Sequence, residues 1–336
     1  MIYAEVIGDP IAQSKSPVIH KFWLKQLGIA ADYRACQVTT AGLADYFAAR
    51  RRDPEWRGCN VTMPHKQAVM THLASLDPLA MQVGAVNTIL PGVEGRFTGS
   101  NTDIVGVAEP LRAQTKSEYP GHVATYAFIV GAGGAAAAAA VGYAEAGYYE
   151  LDIYFFNRTV SRARELALKF PGVEGFGMPL EDFGGTNLSQ NGEQAYSAVI
   201  FNASPLGMTG KPPLSVSLET FHKDTIVFEM VYSPLETILL KEARQRGMRV
   251  IDGLEMLVAQ AAAAFEKFFS QPSCSGSDPR PCATRKERIE PFSRLAKCRR
   301  GSELGRAKSA MPTMSRRHRE APARLTCCAA TCIMRR

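Results

Sequence analysis

The chain has 336 residues, 46% hydrophobic and 21% charged, the balance of a globular protein with room for two domains. No apolar run approaches the ~18 residues a membrane span needs, and residues 1–8 lack the basic opening and small-residue cleavage site of a secretory leader, so a cytoplasmic protein is expected. The formal charge of +7 belongs to one end: residues 271–336 hold 16 of the 39 basic and 5 of the 32 acidic side chains, leaving 23 basic against 27 acidic before them.

A mildly acidic body disfavours a nucleic-acid-binding reading, which would rest on the basic end alone. Six of the eight cysteines (Cys274, Cys282, Cys298, Cys327, Cys328, Cys332) also lie in that end, and only Cys36 and Cys59 in the body. That distribution suggests neither a disulfide framework nor a metal site, because no His or Cys pair stands at zinc spacing.

In chain order, strands are expected at 2–7, 32–38 and 58–61, with a β pair from 85–90 and 96–99. Helices fall between them at 17–27, 43–51, 66–73 and 78–82, the first opened by Pro17 with Ser16 as its cap. Alternating strands and helices with short connections argue a largely parallel sheet covered on both faces. A helix at 103–113 and a polar linker at 114–122 lead to a second α/β pattern. Its strands are 126–130, 152–156, 198–202, 226–230 and 249–251; its helices are an alanine-rich one that follows the glycine run and ends near 146, then 161–170 and 235–246, and an amphipathic helix at 254–269 closes it. From 271 on, Pro, Ser, Arg and Cys dominate without periodicity, which predicts a disordered tail.

Gly131-Ala132-Gly133-Gly134-Ala135-Ala136 follows an apolar strand and opens a helix, the setting a dinucleotide fingerprint requires. The first glycine makes the turn, and the second admits a pyrophosphate to the backbone. An NAD site would place Asp or Glu at the end of the next strand; here that strand runs into Asn157-Arg158-Thr159, with Arg162 one helical turn on. Two guanidiniums and no carboxylate favour the 2′-phosphate of NADP.

Asn60-Val61-Thr62-Met63-Pro64-His65-Lys66 carries a strand into what reads as a helix start with Pro64 in its first turn. The positive end of a helix dipole disfavours a cation, which suits Lys66 as a proton carrier. Ser14/Ser16, Thr62, the run Gly84-Ala85-Val86-Asn87-Thr88 and the run Gly99-Ser100-Asn101-Thr102-Asp103 also fall at strand ends or helix starts, where open α/β sheets bind ligands. Hydroxyls, amides and one lysine suit a small polyhydroxylated substrate.

Those motifs, with Asn202-Ala203-Ser204-Pro205-Leu206-Gly207-Met208, Val231-Tyr232-Ser233-Pro234 and Gly253-Leu254 through Gln260, together resemble the shikimate dehydrogenase family over residues 2–269. The resemblance implies NADPH-dependent reduction of 3-dehydroshikimate to shikimate, a step of chorismate and aromatic amino-acid biosynthesis. It implies a catalytic pair of Lys66 and Asp103. It also implies substrate contacts from Ser14, Ser16, Thr62, Asn87, Tyr232 and Gln260, and cofactor contacts from residues 131–135, Asn157, Arg158, Thr159, Arg162, Met230 and Gly253. The chain departs from the family pattern at Lys21, Ala137 and Glu229. The expected architecture is an N-terminal α/β substrate domain, 1–103, completed by the helix at 254–270. A Rossmann-type NADP-binding domain, 104–253, and the tail, 271–336, follow. A monomer or homodimer is expected, with a small-molecule substrate and neither nucleic acid nor membrane as partner. The rival readings are an NAD-dependent quinate or dual quinate/shikimate dehydrogenase, and an inactive relative that binds a metabolite.

Overall fold

The computed structural model describes residues 1–115, 126–148, 152–170, 174–183 and 198–269. The predicted tail and most of the predicted linker lie outside these residues. Two six-stranded sheets lie in sequence along the chain.

The first sheet contains β1 (Tyr3–Gly8), β2 (Asp32–Gln37), β3 (Trp56–Val61), β4 (Ser75–Leu76), β5 (Thr88–Pro91) and β6 (Phe97–Ser100), in the order β2-β1-β3-β5-β6-β4. Strand β1 is parallel to β2 and β3, but β5 runs antiparallel to both β3 and β6. The sheet is therefore mixed rather than largely parallel, because the short segment from β5 to β6 turns back as a hairpin instead of crossing over a helix. Its helices are α1 (Ser16–Leu27), α2 (Leu43–Arg50) and α3 (Pro78–Val83), and α4 (Asp103–Thr115) leads out of it.

The second sheet is wholly parallel, in the order β12-β11-β10-β7-β8-β9. It is built from β7 (Tyr126–Val130), β8 (Asp152–Asn157), β9 (Glu174–Pro179), β10 (Ala198–Asn202), β11 (Ile226–Glu229) and β12 (Arg249–Ile251), with α5 (Gly134–Glu145), α6 (Val160–Ala167) and α7 (Ile238–Gln245). The strand order reverses between β7 and β10, so the crevice at the carboxyl end of β7 is the place for a ligand.

The last helix, α8 (Gly253–Phe269), returns to the first sheet, where Phe265 and Phe268 pack with Ala4, Val6, Trp23 and Tyr33. A second core, with Phe47, Trp56 and Phe97, includes Tyr3 and Ile7 of β1. Between the sheets, Ala85, Ile104, Val107 and Met256 meet the alanine face of α5. That helix is alanine-rich because it is buried on nearly every side.

Several local expectations are corrected. Pro64 does not open a helix: it is joined to Met63 by a cis peptide bond and lies with Lys66 in a turn. A short 3₁₀ helix, Ala68–His72, follows. The dipole argument for Lys66 therefore falls. Ser16 is the first residue of α1 and makes no side-chain cap. Helix α7 begins later than expected, at Ile238, where the Thr237 hydroxyl accepts a bond from the Leu240 N–H. Strands β4 and β9 were not expected from the sequence.

Candidate active site

Strand β3 ends at Val61, and the turn after it delivers Lys66; α4 begins at Asp103, just after β6. Their side chains meet, with Lys66 Nζ 2.5 Å from Asp103 Oδ2. The Lys66 side chain remains 27% exposed against 10% for Asp103, so the lysine is the more accessible partner of the pair. The other carboxylate oxygen, Oδ1, accepts a bond from Asn87 Nδ2 at 2.8 Å. Asp103 is thus oriented from two sides, and its place at the first residue of α4 favours negative charge.

Asn87 is held in turn. Its Oδ1 accepts from the Thr102 N–H at 2.7 Å and from the Thr88 hydroxyl at 2.9 Å. Asn60 Nδ2 donates to the Asn87 carbonyl (3.2 Å) and to Thr88 Oγ1 (3.1 Å), while Tyr33 donates its hydroxyl to Asn60 Oδ1 at 2.6 Å. Asn101 caps α4 by accepting the Asp103 N–H and ties that start to the Ala85 carbonyl. The Thr102 hydroxyl reaches Gln260 Oε1 at 3.4 Å, bringing α8 into the network. The Val86 N–H donates to the Lys66 carbonyl, which fixes the lysine's backbone against the same segment.

Of the expected substrate residues, Lys66, Asp103, Asn87 and Gln260 therefore belong to one hydrogen-bonded cluster. Thr62 lies at the end of β3, half-buried, with its N–H bonded to Ile7 of β1. Ser14 and Ser16 follow β1 and pair with each other, the Ser16 N–H donating to Ser14 Oγ at 3.4 Å. Tyr232 is half-buried beyond β11, and burial raises its phenol above the ordinary value. Among the described residues, no hydrogen bond joins these four side chains to the Lys66 cluster.

Asn60, Thr88, Thr102 and Tyr33 were not named as site residues. Asn60, Thr88 and Thr102 fall within the runs singled out at strand ends and helix starts, whereas Tyr33 and its long-range partner leave no local trace.

The cofactor expectations fall at the reversal of strand order. Gly131 has φ 125° and donates its N–H to the Phe156 carbonyl; a Cβ there would stand 2.9 Å from the Ala203 carbonyl oxygen. The backbone at Gly133 faces open space, and Gly134 abuts the Ala85 Cβ. The glycine turn thus touches the segment that carries Asn87, with room for an anion on the free N–H groups of α5. Ala132 and Ala135 flank it, partly exposed.

At the end of β8, Asn157 Nδ2 bonds the Thr159 carbonyl. Arg158, Thr159 and Arg162 are exposed, and neither arginine has an ion partner among the described residues. These residues fit a nucleotide bearing an extra phosphate. Met230 bonds the Asn202 carbonyl through its N–H, and Gly253 packs against the Val231 carbonyl. No group of three His, Cys, Asp or Glu able to hold a metal is present among the described residues.

Residues 6–89 match the family model of the shikimate dehydrogenase substrate binding domain. The chain is 44% identical to the shikimate dehydrogenase (NADP(+)) of Sphingopyxis alaskensis, a match covering 82% of this chain and 94% of that one. Shikimate 5-dehydrogenase from Thermus thermophilus, solved in complex with NADP(H) and shikimate, is 33% identical with a TM-score of 0.64, over 81% of this chain and 94% of that one. A quinate dehydrogenase from Corynebacterium glutamicum, solved with NAD, is 28% identical with a TM-score of 0.65, over 80% and 94%. Agreement of sequence and fold along nearly the whole length of these relatives makes the chain a member of the shikimate dehydrogenase family.

Proposed function

We propose that this chain catalyses the reversible, NADPH-dependent reduction of 3-dehydroshikimate to shikimate. The observation that carries the reading is the Lys66–Asp103–Asn87 cluster lying on the segment against which the glycine turn packs. Bound NADPH supplies the hydride. Lys66 holds a proton for the carbonyl oxygen that becomes the new hydroxyl, and takes it back in the oxidation. One of its three ammonium donors is engaged by Asp103, leaving two for the ring.

Asp103 keeps the ammonium aimed and Asn87 keeps Asp103 from turning. Thr62, Asn87, Gln260 and Tyr232 bind the ring hydroxyls, and Ser14 and Ser16 the carboxylate. Residues 131–135 receive the pyrophosphate, Asn157, Arg158, Thr159 and Arg162 the 2′-phosphate end, and Met230 and Gly253 the nicotinamide end. On this reading residues 1–103 with 254–270 form the substrate unit and 104–253 the cofactor unit. No helix among the described residues is long and apolar enough to cross a membrane, and we place the reaction in the cytoplasm.

Initial rates with shikimate and with quinate, each with NADP and NAD, test the reading. The expected order puts shikimate with NADP far ahead in kcat/KM. A preference for quinate with NAD would overturn it.

A further inference from the structure

One buried carboxylate lies outside the chemistry just described. Glu229 ends β11, is fully buried, and has no cation beside it among the described residues. Three donors converge on it instead: the Val231 N–H at 3.0 Å on Oε1, and Asn202 Nδ2 at 3.1 Å and the Thr237 hydroxyl at 2.8 Å on Oε2. A buried carboxyl is costly unless such bonds compensate it, so an acidic side chain at this point has to be holding something.

What it holds are two loops. Asn202 ends β10; its Nδ2 also donates to the Leu206 carbonyl, and its Oδ1 accepts both the N–H and the hydroxyl of Ser204. Residues 203–206 are therefore wrapped around Asn202, and Glu229 fastens Asn202. On the other side Glu229 fixes the start of the loop bearing Tyr232 and, through Thr237, the first turn of α7. A further tie joins the loops where the Thr209 N–H donates to the Ser233 carbonyl.

Each loop backs a glycine of the cofactor path. The Ala203 carbonyl lies behind Gly131, and the Val231 carbonyl lies where a Cβ on Gly253 would collide with it. The two loops thus set the spacing between the glycine turn and the start of α8. In a doubly wound sheet the adenosine half lies toward the second strand, here β8, which leaves the nicotinamide half over β10 and β11.

We infer that Glu229 is a positioning residue for the nicotinamide half of the cofactor, acting through Asn202, Thr237 and the Val231 N–H without touching the ligand. The inference rests on the NADP-dependent reading above.

The test is direct binding, measured by fluorescence titration with NADPH and by calorimetry with adenosine 2′,5′-bisphosphate. The bisphosphate reaches the β8 side and the glycine turn but not the nicotinamide half, so it reports on the adenosine half of the site separately. Glu229→Gln keeps the size but turns a donor toward donors, and is expected to weaken NADPH roughly tenfold. The bisphosphate affinity is expected to change less than about twofold.

Thr237→Val removes one donor to the same carboxylate and is expected to weaken NADPH selectively, whereas Thr237→Ser restores it. This pair decides the matter if Glu229→Gln fails to fold. Equal weakening of both ligands, or no weakening of NADPH, overturns the positioning role. A wild-type chain that binds neither ligand overturns the NADP reading itself.

Discussion

Around Lys66 and Asp103 the side chains are already joined to one another, whereas around the glycine turn the recognition groups stand apart. The first region is a chain of buried amides and hydroxyls from β3, β5, α4 and α8, each partner set by a long-range contact. The second offers backbone at 131–134 and, at the end of β8 and on α6, two exposed arginines without an ion partner among the described residues. The contrast follows from what the proposed function asks of each. A proton carrier has to be aimed before the substrate arrives, because geometry made in advance costs nothing at the moment of reaction. A dinucleotide can be caught by helix N–H groups and charge, which need little prior order.

The largest effect is expected where the prebuilt cluster is cut. Lys66→Ala should lower kcat by at least about a hundredfold, while the KM for shikimate changes severalfold at most, because general acid assistance is worth roughly 10²–10⁴. Asp103→Asn should behave alike, and the double variant should be little worse than either, since the pair works as a unit. Near-normal kcat with a greatly raised KM would leave Lys66 as a binding residue only.

On the loosely assembled side the loss should appear in KM. Arg158→Ala should raise the KM for NADP at least about tenfold, the loss of a charge-assisted contact, and barely alter that for NAD. Equal damage with both cofactors would show Arg158 to be structural. The contrast is sharpened by Asn60→Ala, which strands the Tyr33 hydroxyl in a buried setting and takes one of its partners from the Thr88 hydroxyl. That substitution should cost about 1–3 kcal/mol in denaturant unfolding, a loss with no counterpart at Arg158→Ala.

The smallest expected effect is a pH dependence. Burial pushes the Glu229 carboxyl up to about 7, with the hydrogen bonds from Val231, Asn202 and Thr237 opposing the shift. The folded chain binds this proton more tightly than the unfolded one. The contribution to stability is therefore whole below the ordinary carboxyl range and is lost as the pH rises through about 7. The melting temperature of wild type should fall by a few degrees relative to Glu229→Gln between pH 5 and pH 8. A gap that stays constant over that interval would show the carboxyl to titrate elsewhere.

Much of the second sheet was legible because its central strands are buried on both faces and read as apolar runs: 126–130 and 198–202 match β7 and β10 at both ends. Strand β9 was hidden by its own glycines. A Cβ at Gly177 would run into the Arg164 backbone, so close packing of α6, not strand propensity, chose the residue. The turn at Lys66 was read as a helix because Pro64 fits a first helical turn as readily as it fits a bend. In the site, the motifs announced Lys66, Asp103 and Asn87. That Asn60 and Thr102 would close on Asn87 depends on pairing across β3, β5 and the start of α4, which no local pattern encodes.

The return of α8 also sets an order of manufacture. The outer face of β1, covered in part by Ile19, Trp23 and Leu24 of α1, is not closed until Phe265 and Phe268 arrive, after the second sheet has been made. At about 5–20 residues per second, the half of the chain translated first waits on the order of ten seconds for its last wall. The second sheet, contiguous in sequence, faces no such delay. Pulsed proteolysis of a chain ended at Ile251 should show cleavage in the strands of the first sheet and protection of β7, β10 and β11; equal protection of both sheets would mean that the first closes without its final helix. The region that holds the Lys66–Asp103 pair is begun first and finished last.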